Sequence, residues 1–180
     1  MLSVRIFCLV IGYALGLFQT GVIYGRIHKF DMRQHGSGNS GMTNALRTQG
    51  WKAGVIVFLG DSLKAVLAVV IVWLAFKNRY PDMVKLFELY AALGVILGNN
   101  FPFYLKFKGG KGIAATVGIV FSTYVFMVPI SAVLFFGTVI PTGFISIGSL
   151  MIVSSYFVQM IVFGQLGFLG VASALSLIHI

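Results

Sequence analysis

Residues 35–52 read HGSGNSGMTNALRTQGWK and form a polar stretch between two long apolar runs. Glycine, the most frequent residue in its first half, allows positive φ and a close approach of the backbone to a ligand. The serine, threonine and asparagine side chains between the glycines are uncharged donors, and Arg47 and Lys52 add positive charge. A loop of free amide groups that leads into a helix carrying an arginine is typical of an anion site.

A second stretch, residues 106–112, reads KFKGGKG and repeats the same combination of glycine and positive charge. Lys111 lies between two glycines, which suit a close approach to a ligand. Lys106 and Lys108 can equally be cations that anchor one side of a membrane protein. The stretch is not a Walker A loop, because a leucine and a glycine stand where that motif needs glycine and serine or threonine.

The composition indicates a membrane protein. Of 180 residues, 58% are hydrophobic and 9% are charged, and the mean hydropathy of the chain is +0.97. This balance is typical of a polytopic helical protein in a lipid bilayer. The net charge of +9 does not indicate nucleic-acid binding, because a basic footprint needs a solvated face that this chain lacks. The lone Cys8 excludes an internal disulfide and a cysteine-based metal cluster.

The fold class is predicted as all-α, a polytopic transmembrane helix bundle of about six to seven spans in a single integral-membrane domain, 1–180. Runs of about 20 apolar residues predict the spans. They are 3–24, 53–76, 85–105, 113–128, 130–140, 145–163 and 166–180. No charged residue follows Lys111, so the later boundaries depend on Pro129 and a turn at Pro141. The first run has no small-residue cleavage site and is predicted to be a retained span.

Lysine and arginine in short loops predict the orientation. The polar segments 26–52 and 106–112 hold eight of the 13 cations and lie on the same side if the first three spans alternate. We therefore expect both segments in the cytoplasm and the N-terminus outside.

Asp61 and Lys64 lie three residues apart on one face of the second span, a face that Gly54 and Ala65 share. Charges at membrane depth are costly and usually functional. Two interpretations remain open: a buried pair that joins this helix to a neighbour, and a direct role toward a substrate.

Other site chemistries find little support in the sequence. No Gly-x-Ser-x-Gly motif surrounds Ser37 or Ser40, and the four acidic residues are too scattered for a two-carboxylate metal site. His35 is either a general base or, more commonly for a lone loop histidine, a solvated hydrogen-bonding residue. The chemistry is therefore expected to depend on positioning and charge stabilisation.

Two longer segments carry a family resemblance. They are GSGNSGMTNALR at 36–47 with Gly50, Gly54, Asp61 and Lys64 beyond it, and GNNFPF at 98–103 with FKGGKG at 107–112. They closely resemble the first and second motifs of the bacterial acyl-phosphate:glycerol-3-phosphate acyltransferase family. The resemblance implies an enzyme of phospholipid biosynthesis in the bacterial inner membrane. It would transfer a fatty acyl group from acyl phosphate to glycerol 3-phosphate, forming lysophosphatidic acid and phosphate without a metal or other cofactor.

When the family's site residues are matched to this sequence by position, the resemblance implies that Ser37, Arg47 and Lys111 are catalytic and bind phosphate. The residues that it implies for substrate binding are Gly36, Gly38, Asn39, Gly41, Thr43, Asn44, Asn99, Lys108, Gly109, Gly110 and Gly112. Asp61 and Lys64 would support the site.

The chain departs from the family pattern at several positions. Asn99 stands where histidine is usual, Ala65 where glycine is common and Ala115 where threonine is common. The family also has a third motif with histidine, arginine and asparagine after its last span, and this chain has no counterpart. We therefore expect a chain truncated at the C-terminus, whose activity requires that this motif be dispensable.

Two other classes of function remain as alternatives. An anion transporter or channel would have Asp61 and Lys64 along its path and would move phosphate compounds without forming lipid. An inert membrane scaffold is the third possibility, and the dense polar loops argue against it.

Overall fold

The computed structural model of the protein describes residues 1–162, which form eight α-helices and no β-strand. The helices are α1 Leu2–Gly16, α2 Thr20–Ile27, α3 Met42–Gln49, α4 Trp51–Phe76, α5 Val84–Asn100, α6 Ile113–Thr123, α7 Val128–Thr142 and α8 Ile145–Val162. The predicted all-α class is therefore confirmed.

Five segments of the described chain are long and apolar enough to cross a membrane. They are Leu2–Ile27, Trp51–Phe76, Val84–Leu105, Val125–Thr142 and Ile145–Val162. At 11 residues, α6 spans about 16 Å and is shorter than the hydrocarbon core of about 30 Å. The predicted count of six to seven spans is not confirmed, and the predicted span 166–180 lies outside the described residues.

The helix boundaries after Lys111 differ from the prediction at both prolines. α7 begins before Pro129, which occupies its first turn, where no backbone N–H is needed. The helix also continues past Pro141 by one residue and ends at Gly143, whose φ of 70° is left-handed. The predicted turn at Pro141 is therefore displaced to Gly143.

α5 is the most buried of the five spanning segments, and its contact with α1 is built on glycine. Gly12 and Gly16 of α1 face Gly94 and Gly98 of α5. A Cβ atom on Gly12 would overlap the carbonyl oxygen of Ala91, and the other three glycines meet backbone atoms of the opposite helix in the same way. Small residues four apart on both helices allow the backbones to touch, as in other membrane helix pairs.

The first spanning segment is not a continuous helix, since α1 ends at Gly16 and α2 begins at Thr20. Inside a bilayer each backbone carbonyl that loses its helical partner needs another donor. The Lys64 ammonium of α4 donates to the carbonyl oxygens of Phe18, at 2.6 Å, and Gly16, at 3.4 Å. The break therefore depends on a charged side chain from another helix.

The remaining helices pack on α4 and α5. The main apolar core joins residues of α4, α5, α6 and α8, among them Ala65, Ile96, Ile119 and Met160. α7 packs mainly against α8 and leaves a cleft between itself, α4 and α6. The candidate site lies at this cleft.

We expect Gly94→Ala to lower the thermal unfolding temperature of the detergent-solubilised protein. The added Cβ would overlap the Leu9 carbonyl and the backbone of α1, and overpacking of this kind costs about 1–3 kcal/mol. Gly137→Ala is the matched control, because no atom lies within 4 Å of its added Cβ. It should be neutral or slightly stabilising, since alanine favours helix by up to about 1 kcal/mol. Equal unfolding temperatures for the two variants would contradict the close α1–α5 packing.

Candidate active site

The polar loop before α3 is folded around the side chain of Asn44. Its amide nitrogen donates to the carbonyl oxygens of Met32 (2.9 Å), His35 (3.1 Å) and Asn39 (2.8 Å). Its amide oxygen accepts from the backbone N–H of Ser37 at 2.9 Å. One buried side chain thus holds four points of the loop and fixes its shape.

The expectation that the loop offers its free amides to an anion is wrong for three of them. The N–H groups of Ser37, Gly38 and Gly41 donate within the loop, to Asn44, His35 and Asn39. Gly36 and Gly38 have φ of 62° and 72°, so their glycine character serves the left-handed turns of the loop. The remaining donors are the hydroxyls of Ser37 and Thr43 and the first amides of α3, which have no partner inside the helix.

α3 carries Arg47 and is fixed against α4. Gly50 is the single residue between the two helices, and its left-handed φ of 83° turns the chain from α3 into α4. Ala45 of α3 packs with Ala53 and Val57 of α4 in a small apolar cluster. The guanidinium of Arg47 is exposed and forms no ion pair within residues 1–162.

The second loop folds back along the end of α5. The amides of Gly109 and Gly110 donate to the carbonyl oxygens of Asn100 (3.1 Å) and Asn99 (2.9 Å). A Cβ on Gly109 would overlap the Asn99 carbonyl oxygen, so this glycine is needed for packing against protein. Gly112, with a left-handed φ of 74°, is the residue before the first residue of α6. The exposed Lys111 lies immediately before Gly112.

Both loops open into one cavity of about 520 Å³. Its polar end includes Ser37, Asn39, Thr43, Arg47 and Lys111. Its apolar end lies between helices and is lined by residues of α4, α6, α7 and α8, including Phe58, Val117, Val128, Ala132, Phe135 and Ile152. Residues of both loops therefore line the same cavity. The side of the membrane that the two loops face stays a prediction.

The structure brings together most, and not all, of the predicted site residues. Those that line the cavity are Ser37, Asn39, Gly41, Thr43, Asn44, Arg47, Asp61, Lys111 and Gly112. Those that do not line it are Gly36, Gly38, Lys64, Asn99, Lys108, Gly109 and Gly110. Three of this second group, Gly36, Asn99 and Gly109, have contacts within the protein that account for their residue type.

Asp61 and Lys64 form a buried ion pair at 2.8 Å, with side chains 7% and 5% exposed. The Lys64 ammonium also donates to Asn99 Oδ1 at 2.6 Å, in addition to the carbonyls of the α1–α2 break. Thr20 Oγ1 donates to Asp61 Oδ1 at 2.9 Å. Because these contacts use all three donors of an ammonium, the arrangement favours the helix-joining interpretation for Lys64, whereas Asp61 also reaches the cavity wall.

Gln19 is a structural residue that the sequence reasoning missed. Its amide nitrogen donates to the Asn99 carbonyl oxygen at 2.9 Å, and its amide oxygen accepts from Ser40 Oγ at 3.2 Å. It therefore ties the first polar loop to the end of α5, from which the second loop starts. A lone glutamine in an apolar run was the available signal, and nothing local indicates its partners.

His35 is exposed, stacks on Phe30 and hydrogen-bonds through Nδ1 to the Asp31 carbonyl oxygen at 3.1 Å. These contacts support the hydrogen-bonding interpretation over that of a general base. No group of three or more potential metal ligands occurs in the part of the chain that the structure describes.

Comparisons with known proteins identify the family of the chain. A family model described as glycerol-3-phosphate acyltransferase matches residues 6–180. The chain belongs to the glycerol-3-phosphate acyltransferase family. The resemblance inferred from the two motifs is therefore confirmed.

Curated family members show the same similarity. Glycerol-3-phosphate acyltransferase of Halalkalibacterium halodurans is 40% identical over 148 residues, covering 81% of this chain and 70% of the relative. That of Bacillus subtilis is 35% identical over 157 residues, covering 84% and 78%. Glycerol-3-phosphate acyltransferase 2 of Lactobacillus acidophilus is 38% identical over 172 residues, covering 95% and 79%.

Two solved structures of a family member have the same fold. They are crystal structures of PlsY (YgiH), an integral membrane glycerol 3-phosphate acyltransferase, in a glycerol 3-phosphate form and a lysophosphatidic acid form. The first has a TM-score of 0.86 at 29% identity, and the second 0.84 at 28%. Each match covers 97% of this chain and at least 85% of the other. The chain is thus a multi-pass membrane protein of this family.

Replacement of Lys64 tests the ion-pair network. We expect Lys64→Met to lower stability in detergent by about 3–5 kcal/mol, because Asp61 would remain as an uncompensated buried charge. Asp61→Asn combined with Lys64→Met should recover part of this loss, since the amide keeps an acceptor for Thr20 and removes the charge. Thermal unfolding of both single variants and the double variant measures the coupling. Strictly additive losses would show that the two side chains do not act as a pair.

Proposed function

We propose that this chain transfers a fatty acyl group from acyl phosphate to the hydroxyl of glycerol 3-phosphate, releasing phosphate and forming lysophosphatidic acid. The observation that carries the proposal is the single cavity with cationic side chains at one end and an apolar cleft at the other. Such a cavity suits a phosphate group and an acyl chain at the same time. Membership of the glycerol-3-phosphate acyltransferase family supports the choice of acceptor.

Arg47 and Lys111 are proposed to hold the phosphates. The planar guanidinium suits two parallel hydrogen bonds to phosphate oxygens, whereas the lysine ammonium acts as a compact charge. With both phosphates neutralised, the acceptor hydroxyl oxygen attacks the acyl carbon and the bond from that carbon to the phosphate oxygen breaks. The hydroxyl proton leaves with the released phosphate. Positioning and charge stabilisation supply the catalysis, with the Ser37 hydroxyl as a neutral donor beside the two cations.

The apolar end of the cavity is proposed to hold the acyl chain. It lies between spanning helices, so a chain can enter it from the bilayer while glycerol 3-phosphate enters the polar end from water. Some predicted substrate-binding residues, such as Lys108 and Gly110, lie outside the cavity. Their proposed contribution is to the shape and charge of the second loop. The Asp61–Lys64 pair supports the site from beneath.

The anion-transport alternative has less support. A path along Asp61 and Lys64 needs an ammonium that can exchange partners with a passing anion. Lys64 does not line the cavity and is bonded to oxygens of Phe18, Asp61 and Asn99. No observation favours this function over acyl transfer.

The membrane arrangement is also a proposal. We propose a bacterial inner-membrane protein with its N-terminus outside and both polar loops in the cytoplasm, on the basis of the eight cations in the two loop segments. Six to seven spans would be reached if α6 forms part of a crossing and 166–180 adds one more.

Substitution of the cavity cations tests the activity. We expect Arg47→Ala and Lys111→Gln each to reduce phosphate release from a long-chain acyl phosphate by about 100- to 1,000-fold, the effect of losing one transition-state donor. Release should depend on added glycerol 3-phosphate and be accompanied by lysophosphatidic acid. Lys106→Gln is the control, since Lys106 is an exposed cation of the same loop outside the cavity. Near-normal rates in Arg47→Ala would refute the role assigned to Arg47.

Ala132→Phe tests the position of the acyl chain. The larger ring would fill part of the apolar end, so turnover of long-chain acyl phosphates should fall before that of short-chain ones. Val133→Phe is the control, because Val133 is 71% exposed on the outer surface of α7 and does not line the cavity. Rates measured over a series of chain lengths give the comparison. An unchanged chain-length profile in Ala132→Phe would place the acyl chain elsewhere.

A further inference from the structure

A second pocket, of about 280 Å³, lies on the other side of the first polar loop. Three cationic side chains line it, those of Arg26, Lys29 and Arg33. Its volume is below the range of about 300–1,000 Å³ typical of sites for drug-sized ligands. It therefore suits a single small group better than a whole substrate molecule, and none of the residues assigned to acyl transfer lines it.

The charge of this pocket is unbalanced. Asp31 is the one carboxylate among its lining residues within 1–162, and it is bound by Arg33, with Nε to Oδ1 and Nη2 to Oδ2 both at 3.1 Å. Hydrogen bonds from Arg33 also lower the pKa of Asp31, so the carboxylate stays ionised and paired at neutral pH. Arg26 and Lys29 form no ion pair in that part of the chain and give the pocket an excess positive charge.

Within residues 1–162, the carbonyl groups at the end of α2 do not bind these two cationic side chains either. At the end of α2 the Lys29 and Phe30 amides donate to the carbonyl oxygens of Arg26 (3.3 Å) and Gly25 (2.8 Å). These bonds cap the helix end, and the carbonyl oxygens at that end have donors other than the cationic side chains. Lys29 adopts a left-handed φ of 54° at the capping position, where glycine is usual.

The location of the pocket indicates the kind of ligand. It lies beside the last turns of the first spanning segment, Leu2–Ile27, and extends beyond its end. Ile27 beside it is 72% exposed, as expected of a side chain that faces lipid. Phosphate groups of phospholipids occupy this level of a bilayer, and basic pockets beside membrane helices recognise anionic headgroups.

We propose that Arg26, Lys29 and Arg33 form a second anion site, which binds the phosphate of an anionic phospholipid headgroup. The site is separate from the acyl-transfer cavity, although the same loop separates the two: Ser40 lines this pocket, and its neighbours Asn39 and Gly41 line the other. An anionic lipid bound here would brace the loop from the side opposite the substrates. The inference does not depend on the proposed acyl transfer.

Native mass spectrometry of the full chain, released from detergent with phosphatidylglycerol or phosphatidylcholine, tests the site. We expect the wild-type protein to retain phosphatidylglycerol in preference to phosphatidylcholine. The double variant Arg26→Gln/Lys29→Gly should weaken that binding roughly 30-fold, about fivefold for each of the two cations. Glycine at position 29 removes the charge and also suits the left-handed backbone, so loss of binding would not reflect a misfolded helix end.

The control is Lys52→Gln/Lys106→Gln, which removes two exposed cations of the same loop segments from outside the pocket and should retain phosphatidylglycerol. Each double variant is also measured with Arg47→Ala, so that lipid in the acyl-transfer cavity does not obscure the result. Equal retention by the pocket variant and the wild type would overturn the site. Binding of inorganic phosphate that depends on Arg26 and Lys29, without retention of phosphatidylglycerol, would overturn the assignment to lipid.

Discussion

The Lys64 ammonium, buried within the bundle, is the interaction on which the rest of the structure depends. The first spanning segment breaks between Gly16 and Thr20, and a break inside a bilayer leaves carbonyl oxygens that water cannot reach. Lys64 donates to the Phe18 carbonyl, to Asp61 and to Asn99, and so joins three chain segments at one nitrogen atom. A charge is tolerated at this depth because it has a carboxylate partner and a full set of acceptors.

The positions of the two polar loops of the site depend on this buried network. Ser40 of the first loop bonds to Gln19, and Gln19 bonds to the backbone of Asn99, on which the second loop folds back. The glycines of that second loop serve mainly to let it lie on the end of α5. Arg47 and Lys111 are thus exposed cations on a rigid support, which is how a site holds groups in position with little reorganisation.

Much of the architecture follows from local properties of the chain. Hydropathy and the positions of lysine and arginine predict the first three spans and the same-side placement of the two loops, because both depend on short windows of sequence. The motifs at 36–47 and 98–112 indicate the family from sequence alone. The predicted boundaries of α7 are wrong, because proline is tolerated in the first turn of a helix and α7 also continues through Pro141.

The amino-acid sequence is sufficient to predict an all-α membrane protein of the glycerol-3-phosphate acyltransferase family, with two polar loops and a candidate set of site residues. The tertiary contacts show which of those residues share a cavity and that Asn44 binds its own loop. They also show that Gln19 connects the first loop to the end of α5, and that Lys64 connects the α1–α2 break to α4 and α5. The reason is physical: a side chain's hydrogen-bonding partner depends on which segments meet in space. The contacts of Gln19 and Lys64 with Ser40, Asn99 and Phe18 span 21 to 80 residues of chain, beyond the reach of any local pattern.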